Sequence, residues 1–146
     1  PENGNSTQID YPKVHQSAGG TGTRYDPITF DSDPGEFPPG TMVYIPYFQR
    51  YFVMEDSCDD CTLDWTSTGP EGGPGFRLLE IWLTGGPADP DPTNDTATPP
   101  PDLQAFLDCE DRLGQDSTSV MVNPPDNLAV SSKPFVYSNG TCPPPN

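Results

Sequence analysis

Short runs of β-branched and aromatic residues dominate the first half of the chain. The two clearest runs are residues 41–45 (TMVYI) and 50–56 (RYFVMED), and only four residues separate them. Runs of this composition at this spacing predict an antiparallel β-hairpin. A third run, residues 76–83 (FRLLEIWL), predicts another strand, which the GGP sequence at residues 85–87 ends.

Weaker apolar runs complete the predicted elements. Residues 25–30, 118–122 and 135–137 are each predicted to form a short strand. One stretch has helical spacing, residues 102–113, and Asp102 is its predicted N-cap. Five or six strands and one short helix within about 120 residues indicate a mainly β protein and favour a small β-barrel.

Polar and Pro/Gly-rich segments separate these elements. Residues 1–18 lack periodicity and are predicted to form an extended N-terminal arm, which leaves residues 19–146 as a single domain. Residues 33–40 and the acidic, cysteine-containing residues 57–64 are predicted to be turns and loops. Residues 87–101 form a long Pro-rich loop that is too polar to be buried.

The chain is strongly acidic. It has 22 Asp and Glu residues against 6 Lys and Arg residues among 146, a formal net charge of −16. The basic residues are isolated, so they form no patch that would bind nucleic acid or an anionic membrane. No apolar run approaches the roughly 18 residues that a membrane-spanning helix needs. A Gly-rich nucleotide-binding motif is also missing, and we expect neither a cofactor nor a metal ion.

Four cysteines allow three disulfide pairings. We favour a short local bridge between Cys58 and Cys61, and a second bridge from Cys109 to Cys142 that ties the C-terminal residues to the predicted helix. The alternative, half of a zinc site at Cys58-x-x-Cys61, lacks a second close pair of cysteines.

Three acceptor triplets for N-glycosylation also bear on the compartment. They begin at Asn5, Asn94 and Asn139, each in a polar or Pro/Gly-rich stretch. Together with the even number of cysteines, they predict a secreted, extracellular glycoprotein. Because the chain begins with Pro1 rather than Met, we expect that a signal peptide has been removed.

A few carboxylates differ from the solvated majority because they lie on predicted strands. Alternation along residues 76–83 places Glu80 beside Trp82 on one face of the strand. An indole packs on the apolar side of a sugar ring while an acid contacts the sugar oxygens, so this pair suits a sugar-binding groove. Asp56 follows an apolar run, and partial burial would raise its pKa and make it a candidate general acid. An Asp followed by a Ser is also a good turn former, so a structural role in a turn is the alternative for Asp56.

Four stretches of the chain occur in an order that resembles a known group of proteins. They are residues 26–30 (DPITF), 39–46 (PGTMVYIP), 51–58 (YFVMEDSC) and 79–86 (LEIWLTGG). The order resembles that of double-psi β-barrel proteins that cleave glycans. These include bacterial lytic transglycosylases, cell-wall proteins with the three-aspartate domain, and endoglucanases of glycoside hydrolase family 45. The chain looks closest to small secreted fungal barrels, some of which are muramidases.

The resemblance implies a six-stranded double-psi β-barrel that hydrolyses a β-1,4-linked polysaccharide, with peptidoglycan ahead of cellulose or chitin. It implies that Glu80 protonates the leaving oxygen and that Asp56 stabilises the transition state or activates water. Asp26 is the reserve candidate, since family 45 endoglucanases carry a Tyr-x-Asp base at this place. The candidate sugar-binding residues are Trp82, Tyr25 and Trp65. We expect a monomer.

One departure from the pattern of these proteins favours a different function. They usually carry His-hydrophobic-Asp where this chain has Leu78, Leu79 and Glu80, so the carboxylate is kept and the histidine is lost. An inactive barrel that binds cell-wall glycan is therefore the main alternative. A third interpretation is a structural glycoprotein with calcium bound in the loop of Asp59, Asp60 and Asp64, although the EF-hand spacing is absent.

Overall fold

The computed structural model describes residues 7–94 and 96–146, and its centre is one mixed β-sheet. The elements in chain order are β1 (Ile28–Ser32), β2 (Met42–Ile45), β3 (Arg50–Ser57), α1 (Asp59–Thr66), β4 (Glu80–Ile81), α2 (Pro101–Leu113) and β5 (Met121–Val122). The strand order is β4-β1-β3-β2-β5, in which β1 and β3 are parallel and the other neighbours antiparallel. The prediction of a mainly β protein is confirmed. The described strands form an open sheet of five strands.

The predicted hairpin is confirmed. Strands β2 and β3 pair from Met42 opposite Val53 to Ile45 opposite Arg50. The turn between them contains Gln49 in a left-handed conformation, with φ 48°. Strand β3 lies at the centre of the sheet, and burial on both faces explains its nearly continuous apolar sequence.

Helix α2 covers one face of the sheet. Its buried side chains, Leu103, Phe106 and Leu113, belong to the same core cluster as Phe30 and Met54 of the sheet. The helix was predicted within one residue of its observed start, but Asp102 is not the N-cap. Pro100 occupies that position, and the fixed φ of Pro at the next residue suits the start of a helix. Asp102 lies in the first turn, where its charge complements the helix dipole.

Both predicted disulfides are confirmed. Cys58 bridges Cys61, with a Cα–Cα distance of 5.1 Å, and Cys109 bridges Cys142, at 5.5 Å. The first bridge lies at the start of helix α1, where residues 57–64 were predicted to be a loop. That prediction was wrong because the acidic residues stabilise the N-terminus of a helix, and Cys58 Sγ accepts a hydrogen bond from the Cys61 N–H.

The strand predicted over residues 76–83 is reduced to β4. The backbone N–H groups of Gly75 and Phe76 donate to carbonyls at the end of α1, so this part of the chain is held by the helix instead of the sheet. Of the strand predicted over residues 118–122, only β5 is present. The strand predicted over residues 25–30 is observed as β1, which begins at Ile28 and ends at Ser32. Residues 135–137 form no strand and contribute one isolated bridge, Val136 to Thr84.

The described part of the N-terminal segment, residues 7–18, packs against β3. Ile9 is buried, and the Tyr11 N–H donates to the Glu55 carbonyl at 2.9 Å. Residues 7–18 form no helix or strand, and they are held on β3 by contacts that local periodicity does not reveal. No helix in the described ranges is long and apolar enough to cross a bilayer.

Candidate active site

A groove of about 760 Å³ lies between β4, helix α2 and the Pro-rich loop. Glu80, Ile81 and Trp82 form one wall, and Leu103, Leu107 and Glu110 form part of the other. The groove therefore combines apolar and aromatic surface with carboxylates, the composition expected for a small-molecule or sugar site.

Glu80 and Trp82 lie together in this groove, as their places on the strand suggested. Burial raises the pKa of Glu80, and the negative charge of Asp60 raises it further. The indole of Trp82 is half-buried, and its Nε1–H donates to Thr84 Oγ1 at 3.1 Å. Its orientation is thus fixed by both packing and a hydrogen bond.

Glu110 of α2 lies across the groove and was not among the predicted site residues. Burial raises the pKa of Glu110 to about 7, and the charges of Glu80 and Asp111 add to this effect. The signal was present: Leu103, Leu107 and Glu110 follow the four- and three-residue steps of one helix face. A carboxylate within an apolar stripe is unusual, and this is the mark of a partly buried acid.

Asp56 is two strands away from Glu80. Asp31 of β1 pairs with Asp56 of β3 on one side and with Glu80 of β4 on the other. Two strand spacings put the backbones of Asp56 and Glu80 about 10 Å apart. Burial raises the pKa of Asp56, whose Oδ1 accepts hydrogen bonds from the N–H groups of Asp10 and Ser57, both at 2.9 Å. Asp31, and not Asp56, lines the groove that the described residues form.

A second polar cluster lies on the opposite face of β1 and β3 from the apolar core. His15 Nδ1 lies 2.8 Å from Glu55 Oε2 and Nε2 lies 2.9 Å from Asp26 Oδ1, and a protonated ring donates to both carboxylates. Burial lowers the pKa of His15, but the hydrogen bonds to Asp26 and Glu55 outweigh this effect, so the pKa is raised. The two carboxylates therefore favour the protonated form of the His15 ring.

Glu55 reaches this cluster because of a β-bulge. Phe30 pairs with Met54 and Asp31 pairs with Asp56, which leaves Glu55 as the extra residue of β3. Its side chain is fully buried, and Oε1 accepts hydrogen bonds from the backbone N–H groups of residues 13–15. Thr29 Oγ1 donates to Oε2 at 2.9 Å. Burial alone would raise the pKa of Glu55, but the hydrogen bonds from His15 help to outweigh this effect, so the pKa is lowered.

Asp26 has both carboxylate oxygens engaged. His15 contacts Oδ1, and Thr21 donates to Oδ2 from its N–H at 3.1 Å and from its hydroxyl at 2.9 Å. The hydrogen bond from His15 is the main reason why the pKa of Asp26 is lowered. A carboxylate held in this way is a weak base, so Asp26 fits a role in structure better than one as a free catalytic base.

The other two predicted sugar-binding residues lie outside the groove lined by described residues. Tyr25 is 83% exposed, with the Arg24 guanidinium 5.8 Å from its ring centroid. Trp65 is half-buried on α1, and the Arg77 guanidinium lies 5.6 Å from its ring. Of the three aromatic candidates, the groove contains Trp82.

Comparison with known proteins places the chain in a family. A family model described as the DDB_G0273701 N-terminal domain matches residues 1–143. The chain belongs to this family. A relative from Dictyostelium discoideum, "Uncharacterized protein DDB_G0273701/DDB_G0273221", is 33% identical over 136 residues, which are 93% of this chain and 51% of the relative. The chain thus spans about half the length of this curated relative. No solved structure matches this chain.

In this member of the DDB_G0273701 N-terminal domain family, the remaining predicted sites have different settings. Asn94 is exposed on the rim of the groove, and Asn139 is exposed in a turn, whereas Asn5 lies outside the described residues. Asp64 is buried and accepts hydrogen bonds from the N–H groups of Glu71 and Gly72, so it faces a loop instead of Asp59 and Asp60. No group of three or more potential ligand residues in the described ranges is arranged to hold a metal ion.

Proposed function

We propose that this protein is a secreted glycoside hydrolase that cleaves a β-1,4-linked polysaccharide, with peptidoglycan as the first candidate substrate. The observation that carries the proposal is the groove in which Glu80, with its raised pKa, lies beside the indole of Trp82. Glycoside hydrolysis uses two carboxyl groups in different protonation states, one that protonates the leaving oxygen and one that is ionised. Glu80 supplies one of the two, and Trp82 packs against a sugar ring.

The proposal includes the fold and the compartment that the sequence resemblance implies. The parallel pairing of β1 with β3 and the bridge between Thr84 and Val136 are compatible with closure into a six-stranded double-psi β-barrel. Two disulfides and two exposed acceptor asparagines, Asn94 and Asn139, are typical of secreted proteins.

The test is clearing of a suspension of Gram-positive cell walls by the purified chain between about pH 4 and pH 8, with release of new reducing ends. Glu80→Gln keeps the shape of the side chain and removes its proton-transfer capacity, so we expect a loss of activity of about 10²–10⁴-fold. Asp108→Asn is the control, because Asp108 is exposed on α2 and does not line the groove. Normal clearing by Glu80→Gln would show that Glu80 is not a catalytic residue.

A catalytically inactive glycan-binding barrel is the second candidate. Leu78 stands where the similar barrels usually carry a histidine, and this loss favours binding without cleavage. Wild-type protein that sediments with cell walls but releases no reducing ends at any pH would support this candidate. In that case Trp82→Ala should reduce sedimentation, because the indole supplies the apolar face of the groove.

A further inference from the structure

Glu110 and Glu80 lie where two cavities meet. The groove is one cavity, and a second of about 720 Å³ lies beyond it. Four residues line both cavities: Glu80, Ile81, Leu83 and Glu110. A chain of sugars that occupied both cavities would pass these two carboxyl groups at the junction, which is where a scissile bond needs them.

Glu110 is held firmly at this place. The preceding residue, Cys109, is bonded to Cys142, and the side chain of Phe106, one turn earlier, is buried. The ring of Phe106 packs edge-to-face on Tyr137, with the centroids 5.1 Å apart. A carboxyl group on such a supported helix keeps the geometry that proton transfer requires.

Among the described residues that line the groove, the charged groups besides Glu110 are all acidic: Glu80 of β4, Asp31 of β1, Asp59 and Asp60 of α1, and Asp89 and Asp91 of the loop. The second cavity adds Glu36, Glu71, Asp111 and Asp116 together with one cation among its described lining residues, Arg77, which lies 3.8 Å from Glu36. Burial and the negative charge of Glu80 both raise the pKa of Glu110, which favours its protonated form. With a pKa of about 7, Glu110 keeps its proton at mildly acidic pH, where a carboxyl group of ordinary pKa is ionised.

We propose that Glu110 is the second catalytic carboxyl group and the proton donor, an inference that rests on the proposed function. Its proton passes to the glycosidic oxygen as the bond from that oxygen to the anomeric carbon breaks. Ionised Glu80 balances the positive charge that develops on the sugar and takes a proton from the water that attacks the anomeric carbon. The water oxygen forms the new bond to the anomeric carbon, after which Glu80 releases its proton to solvent and Glu110 takes one up. This assignment gives Glu80 the role that the sequence resemblance gave to Asp56.

The test compares two substrates with Glu110→Gln. Cell-wall glycan has a poor leaving group that needs a proton, whereas a nitrophenyl glycoside of the same sugar has a good leaving group that does not. We expect Glu110→Gln to lose about 10²–10³-fold in kcat/KM on the wall glycan but less than about 10-fold on the nitrophenyl glycoside. The fall in wild-type activity above about pH 7 should also be absent from the residual activity of the variant.

Two further variants separate the possible outcomes. Glu80→Gln should lose activity on both substrates, and Asp108→Asn, an exposed position on the same helix, should lose it on neither. Equal losses by Glu110→Gln on the two substrates, or an unchanged pH profile, would overturn the assignment while the proposed function stands. A wild-type protein that hydrolyses neither substrate would overturn both proposals.

Discussion

His15 shows how one side chain connects distant parts of this chain. A neutral imidazole has one N–H, but both ring nitrogens face carboxylate oxygens, so the protonated form satisfies both contacts. Through Glu55 this ring holds residues 7–18 on β3, and through Asp26 it holds the turn before β1. The sequence could not predict this cluster, because residues 15 and 55 are 40 positions apart and His15 lies in a segment without periodicity.

Removal of the imidazole should destabilise the fold. His15→Ala leaves buried Glu55 without its charged partner, and we expect a loss of about 2–3 kcal/mol in the free energy of unfolding. Asp26→Asn is the matched comparison, because Asp26 is 44% exposed and should cost less. Urea denaturation of the two variants at pH 6 measures both values. A His15→Ala protein as stable as the wild type would show that the cluster does not support the fold.

The same residue predicts a pH dependence. The folded-state pKa of His15 is raised, so its contribution to stability is complete below the unfolded pKa of about 6.5 and is lost as pH rises through the folded value. The free energy of unfolding of the wild type should therefore fall above about pH 6.5 more steeply than that of His15→Ala. Denaturation at several pH values checks this, and parallel curves for the two proteins would contradict it.

At the scale of elements, the local sequence pattern predicted those helices and strands that depend mainly on interactions between residues near each other in the chain. The hairpin of β2 and β3 and the extent of α2 follow from β-branched runs and helical spacing. Helix α1 was missed because its acidic sequence has no apolar periodicity, and β4 was overextended because non-local hydrogen bonds hold Gly75 and Phe76 on α1. The bulge that positions Glu55 is a property of strand pairing and leaves no signal in one strand alone.

The two disulfides should contribute unequally to stability. The Cys109–Cys142 bridge closes a separation of 33 residues, and its loop entropy corresponds to about 3–4 kcal/mol. The Cys58–Cys61 bridge closes a separation of 3 residues and corresponds to about 2 kcal/mol. Paired Cys→Ser variants, compared by urea denaturation, should show the larger loss for residues 109 and 142. The reverse order would show that the local bridge has a role beyond loop closure.

At the scale of the whole molecule, net charge and buried acids act in the same direction. Burial raises the pKa of Glu36 to about 6, against the effect of nearby Arg77, and it raises the pKa of Glu110 to about 7. An acid with a raised folded-state pKa makes the folded state bind more protons, so stability falls as pH rises. Repulsion at a net charge of −16 adds to this trend.

The melting temperature should therefore be higher at pH 5 than at pH 8. Salt should narrow the difference, because it screens the exposed carboxylates more than the buried ones. Differential scanning calorimetry at low and high ionic strength measures both effects. A melting temperature that rises steadily from pH 5 to pH 8 would mean that neither the buried acids nor the net charge controls stability in this range.

Hydrolysis of a glycan in the groove around Glu80 is tested most directly by following the oxygen of water. Cell-wall glycan digested in ¹⁸O-labelled water should acquire one labelled oxygen at each new reducing end, as measured by mass spectrometry. The wild type and Asp108→Asn should give labelled products, and Glu80→Gln should give about 10²–10⁴-fold fewer. Products without label, or equal yields from the wild type and Glu80→Gln, would contradict this account.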